Sequence, residues 1–177
     1  MRLSRSGPPG DVTARVDGRP LAHAETVDGT WLVGTRDELV LIAPAGGPRP
    51  VETRIPWEWL EGADWRRDES RFRFTEIGRY GEPRPSYAFT LPEAEPAALL
   101  QLIRERVTAS VVLQRGTLIA AKRGLKVIGR RPPSGGPITW MYEYDEGVDP
   151  EDPAVVEAAE ALLRRAREDV GESDEPI

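Results

Sequence analysis

The chain contains no cysteine, which removes disulfides, thiolate metal sites, iron–sulfur clusters and cysteine nucleophiles together. Histidine occurs once, at His23, so a serine–histidine triad or a multi-histidine metal site would rest on that residue alone. With alanines on both sides in an expected strand, His23 reads as a partly exposed strand residue. Lysine is nearly absent too: of 24 basic residues only Lys122 and Lys126 are lysine. Arginine in this excess suits bidentate recognition of phosphate or carboxylate. Its spread along the whole chain fits a GC-rich genome better. No apolar run approaches the roughly 20 residues that a membrane-spanning helix needs. No apolar segment follows Arg2 and Arg5 as a secretory signal would require. The expectation is a cytoplasmic protein without a membrane span.

What is present suits one domain, or one domain with an appended subdomain: 177 residues, 39% of them hydrophobic and 31% charged. With 17 glycines and 17 prolines, many short strands are favoured over long helices. Residues 1–19 are rich in Gly, Pro and Arg without hydrophobic periodicity, which predicts a flexible leader. Ordered structure is expected from Leu21. The run Leu21 to Val27 ends in Asp28-Gly29, a two-residue hairpin signal, with Thr30–Thr35 as the returning strand. Arg36-Asp37 turn the chain into Glu38–Ile42, a short apolar run that fits a buried strand. Val51, Thr53 and Ile55 alternate with Glu52 and Arg54 up to Pro56. Trp57, Trp59, Ala63 and Trp65 share one parity, which predicts a strand bent near Gly62. Phe72 and Phe74 alternate with arginines, and Tyr87, Phe89 and Leu91 give one more alternating strand. A helix is expected from Pro96, with Glu93 and Glu95 at its positive end and Leu99, Leu100, Ile103 and Val107 as its apolar stripe.

Seven strands and a helix in this order predict an antiparallel meander bent into a barrel or two orthogonal sheets, closed by the helix. The pattern Trp31…Gly34-Thr35…Leu39-Val40-Leu41, followed by Ile55-Pro56-Trp57…Ala63-Asp64-Trp65, resembles an uncharacterised group of actinobacterial proteins with a pleckstrin-homology-like (PH-like) domain. The resemblance covers residues 20–110 and rests on turn and core residues. It implies a PH-like β-barrel of about seven strands with a capping helix, in a mainly β (α+β) chain, and says little about activity. The basic cluster of that family lies around the first hairpin, where this chain has Asp28-Gly29, so phosphoinositide binding is disfavoured.

Residues 111–171 form an expected extension. Val111–Leu113, Leu125–Ile128 and Ile138–Tyr144 read as a β-meander, with turns at Lys122–Gly124 and Pro132–Pro137. Asp152 and Pro153 open a terminal amphipathic helix striped by Val155, Val156, Ala159, Leu162, Leu163, Ala166 and Val170. That stripe needs an apolar surface, and a neighbouring chain is one that could supply it. Residues 172–177 read as an acidic tail.

Catalytic patterns are sparse. Gly116 to Lys122 has the wrong spacing for a P-loop, and no dinucleotide fingerprint follows a strand. The acidic run Asp145 to Asp152 lacks the ligand order of a calcium loop and reads as a solvated lead-in to a helix. Trp31, Trp57, Trp59 and Trp65 read as core more readily than as a ligand pocket. No cofactor, metal or catalytic residue is implied.

Charge gives the sharpest signal. Between Val107 and Met141 lie Arg115, Lys122, Arg123, Lys126, Arg130 and Arg131 with no carboxylate, a formal +6. Tyr142 to Ile177 then holds thirteen carboxylates against three arginines, a formal −10. The basic set could bind an anionic partner such as a nucleic-acid backbone. It could equally pair with the acidic segment that follows it, within one chain or between copies. Interleaved aromatics of the kind that stack on RNA bases are missing. The expectation is a non-catalytic cytoplasmic interaction module that binds a protein partner or itself. Nucleic-acid association through the basic segment is the second reading, and an enzyme with a dispersed carboxylate site the third.

Overall fold

The computed structural model describes residues 7–78, 84–92, 96–120 and 122–172. Several expected features lie outside the described residues: the start of the leader, part of the polar loop before Pro85, Glu93 and Glu95, and most of the acidic tail. Among the described residues there are ten strands and three helices. In order they are α1 (Gly10–Thr13), β1 (Ala22–Glu25), β2 (Trp31–Gly34), β3 (Glu38–Ile42), β4 (Glu52–Pro56), β5 (Leu60–Arg66), β6 (Arg71–Glu76), β7 (Ser86–Thr90), α2 (Ala97–Ser110), β8 (Val111–Ala120), β9 (Arg123–Arg130), β10 (Thr139–Tyr144) and α3 (Pro153–Asp169). The chain divides into two units, Met1–Ala109 with Pro132–Ser134, and Ser110–Arg131 with Gly135–Ile177.

The first unit is mainly β and holds two antiparallel sheets, β1-β2-β3-β4 and β5-β6-β7. Local chemistry sets the turns. At the β2–β3 turn the Thr35 hydroxyl donates to Glu38 O (3.0 Å) and accepts from Asp37 N and Glu38 N, so Arg36 and Asp37 project at the tip. The β1–β2 hairpin is longer than the two-residue turn expected from Asp28-Gly29. Thr26 N donates to Thr30 O, and Gly29 has φ +78°, so three residues bridge the closing pair. The longer loop frees Val27 N to donate to Thr90 O at 2.8 Å, which stitches the two sheets at one corner.

The expected closed barrel does not form. Pro56 has no N–H to continue a ladder, and Trp57–Trp59 make a 3₁₀ turn before β5 begins. The turn also breaks the parity expected of the tryptophans: Trp57 is fully buried, whereas Trp59 is 41% exposed. The register shift between Leu60 and Gly62 supplies the bend expected near Gly62. Both sheets and α2 share one core of Leu32, Leu39, Leu41, Ile55, Trp57, Phe72, Phe74, Phe89, Leu99, Leu100 and Ile103. Each such side chain contributes about 1.5–3 kcal/mol by leaving water.

Residues 10–16 depart from the flexible leader expected there. Val12 and Val16 are buried against Val33, Val40 and Ile42 on the outer face of the four-stranded sheet. Those strands are apolar on both faces, so the outer face needs cover. Arg54 fixes it in place, donating to the Asp17 carboxylate at 2.8 Å and the Arg15 carbonyl at 2.7 Å. The same guanidinium bonds Glu52 and Glu38, and these carboxylates raise its pKa.

The second unit is a three-stranded antiparallel sheet, β10-β9-β8, with α3 on one face. Strand β8 is ten residues long, far beyond the expected Val111–Leu113, because β9 supplies a partner nearly along its length. Asp152 caps α3 by accepting from Ala154 N at 2.8 Å. The stripe Val155, Ala159, Leu162 and Ala166 packs on Leu125 and Val127 of its own sheet, so it needs no neighbouring chain. Among the described residues no helix is long and apolar enough to cross a membrane.

Candidate functional site

The six basic residues of the second unit do not gather on one surface. Arg115 pairs in register with Val127, so it lies on the face covered by α3. There its Nε and Nη2 donate to Asp169 Oδ2 at 2.9 and 2.8 Å. Lys126 is one residue out of phase with Val127 and lies on the opposite face, where Nζ meets Glu143 Oε1 of β10 at 3.1 Å. Arg130 is buried and its Nη1 donates to Ser110 Oγ at 3.3 Å. Arg123 lies along the acidic loop, so close to Gly147 that a Cβ there would stand 2.6 Å from its Nη1.

Lys122 and Arg131 are exposed at opposite ends of β9. Nine residues of extended chain separate them by roughly 30 Å. Among the described residues, Arg115–Asp169 and Lys126–Glu143 join the basic and acidic segments, each pair worth about 0–1 kcal/mol at a solvent-exposed site. Three further carboxylates of the acidic segment accept hydrogen bonds: Asp145 from Gly124 N at 2.7 Å, Asp149 from Glu151 N at 3.0 Å and Glu172 from Trp140 Nε1 at 2.9 Å. Among the described residues no cluster of three or more metal-ligating side chains occurs.

The tryptophans do not gather either. Trp57 Nε1 donates to the carbonyls of Thr35 and Arg36 at 3.2 and 3.1 Å, which anchors the β2–β3 turn to the core. Trp31 covers the outer face, and Trp65 is half-buried against the main core. His23 is exposed on β1, its ring 6.0 Å from that of Trp31.

Two titratable groups of the first unit are strongly perturbed. Hydrogen bonds from Thr26 and Thr30, together with Arg49, outweigh partial burial and bring the Asp28 carboxyl down to about 2. Arg49 also sits 4.6 Å over the Phe89 ring, so this network ties the β1–β2 loop to β7. Burial and a 2.6 Å hydrogen bond to Glu76 push the Tyr87 hydroxyl up to about 12. In the second unit, burial and then neighbouring Tyr144 raise Tyr142.

One cleft of the first unit escaped the sequence reading. It has a volume of ≈ 690 Å³ and is lined by Asp17, Arg19, Leu21, Arg36, Asp37 and Arg106 among others. These residues come from the chain before β1, the β2–β3 turn and α2, and no local motif links them. The one available signal was Arg36 at the tip of a tight turn, where a side chain must project.

Comparison with protein-family models, with curated proteins and with solved structures gives no match.

Proposed function

We propose that the chain is a non-catalytic cytoplasmic interaction module in which residues 20–110 form a PH-like domain and β8 serves self-association. Support for the first part is the order of elements: four strands in one sheet, three in a second, then one helix, around a shared core. Trp57, Phe72 and Phe74 fill that core, which leaves binding to the surface.

The observation that carries the second part is that, among the described residues, no strand pairs with the outer edge of β8. Hydrogen-bonded to β9 on one side, β8 exposes Val112 at 39% and Leu118 at 70%. Edge strands are normally blunted by charges or proline. Strand β8 has no proline, and its one charge, Arg115, is held by Asp169. The occupant that suits it is the β8 of a second copy, added antiparallel about a two-fold axis. Centred on Gly116, that pairing sets Arg115 opposite Thr117 and avoids an Arg115–Arg115 clash. It also sets Leu113 opposite Ile119, both of which already flank the core of the second unit.

Sedimentation velocity on wild type and Leu118→Lys tests this. A concentration-dependent dimer that dissociates in the variant is expected. A wild type monomeric at every concentration, or a dimer indifferent to Leu118→Lys, contradicts it.

A further inference from the structure

We propose that the cleft around the β2–β3 turn of the first unit binds a phosphate monoester carrying a neighbouring hydroxyl. This inference does not depend on self-association. The cleft gathers three guanidiniums, Arg19, Arg36 and Arg106, from three separate segments. Among the described residues none of the three makes an ion pair, in a chain whose arginines elsewhere find carboxylates readily. Of the two carboxylates in the lining, Asp17 is engaged by Arg54. Arg54 also serves Glu38 and Glu52, so Asp17 and Asp37 both oppose the three arginines and the lining keeps one net positive charge.

The three arginines without an ion pair select the ligand. A carboxylate brings one negative charge and two acceptor oxygens, whereas a phosphate monoester brings nearly two charges and three terminal oxygens. Three planar forks of N–H donors suit the second better. Asp37, set among the arginines, is an acceptor for a hydroxyl and would repel a bare second anion. Leu21, 46% exposed, adds an apolar wall. A volume of ≈ 690 Å³ accommodates a molecule of sugar-phosphate or nucleotide size.

The phosphate can be free or can be the headgroup of a lipid, and one experiment separates the two. The full chain is titrated calorimetrically with glycerol 3-phosphate, and in parallel sedimented with phosphatidylcholine vesicles with and without phosphatidic acid. Saturable binding of glycerol 3-phosphate supports a soluble ligand, and retention on phosphatidic acid vesicles alone supports a lipid one. In either case Arg36→Ala should weaken binding about tenfold, the loss of one charge-assisted contact. The triple variant Arg19→Ala, Arg36→Ala, Arg106→Ala should abolish it. Arg36 is exposed, so the single variant keeps the test valid should the triple variant melt early. Asp37→Asn should reduce the preference for glycerol 3-phosphate over inorganic phosphate. Binding to neither source, or binding unchanged in the arginine variants, overturns the proposal.

Discussion

Gly124→Ala should be the most damaging small substitution in the second unit. Gly124 is not in a left-handed conformation, so its lack of a side chain answers to space rather than to backbone angle. A Cβ at this position would lie 2.1 Å from the Thr117 carbonyl oxygen, 3.0 Å from its carbon and 3.2 Å from Leu118 Cα. All three are backbone atoms of the paired strand, so no rotamer change relieves the contact. The β8–β9 ladder must open by about 1 Å at this end to restore a normal carbon–oxygen distance. That movement pulls on the two bonds by which Gly124 holds the start of the acidic loop, Gly124 N to Asp145 Oδ2 (2.7 Å) and Asp145 N to Gly124 O (3.0 Å). Two or three weakened hydrogen bonds at about 1 kcal/mol each, with the strain of overpacking, give about 2–4 kcal/mol. Urea unfolding followed by amide hydrogen exchange reads the loss directly, with faster exchange expected in residues 113–119 and 125–128. A loss below about 0.5 kcal/mol with intact protection would refute the steric reasoning.

Asp28 makes the first unit acid-sensitive. Its folded pKa lies at about 2, below the ordinary carboxyl value of 3.8, so its stabilisation is complete above pH 3.8 and is lost as pH falls through the folded value. Because the side chain is about half exposed, screening reduces the effect to about 1 kcal/mol. Asp28→Asn should flatten that part of the pH–stability curve, and a variant that retains the acid loss would contradict the assignment. Trp57→Ala should cost about 3–5 kcal/mol, since it empties a fully buried site and removes the donor that anchors the β2–β3 turn. Thermal unfolding checks the magnitude, and a cost under about 1 kcal/mol would mean that the turn is held by other contacts.

Elements whose cause is local were legible in the sequence. Phe72 and Phe74 are buried in alternation with Arg71 and Arg73, Asp152 caps α3, and the β2–β3 turn falls at Arg36-Asp37. What escaped depends on distant partners. Nothing in residues 10–16 announces order; Val12 and Val16 are fixed because β2 and β3 are apolar on their outer face. The polar centre of β8, Gln114 to Thr117, has no strand pattern and is extended only because β9 pairs with it. The charge swing was visible, but its meaning was not. Period-2 alternation sends Arg115 and Lys126 to opposite faces, where Asp169 and Glu143 meet them. The cleft of Arg19, Arg36 and Arg106 was out of reach for the same reason, since tertiary structure alone brings those segments together.

The central claim is that the outer edge of β8 is a docking edge for a second copy. Amide hydrogen exchange of β8 at low and high protein concentration tests it most directly, because an edge amide is protected only when another strand accepts its hydrogen bond. The account predicts that the β8 amides not bonded to β9 gain protection with concentration, and lose that gain in Leu118→Lys. Exchange of those amides at one rate across the concentration range would contradict it.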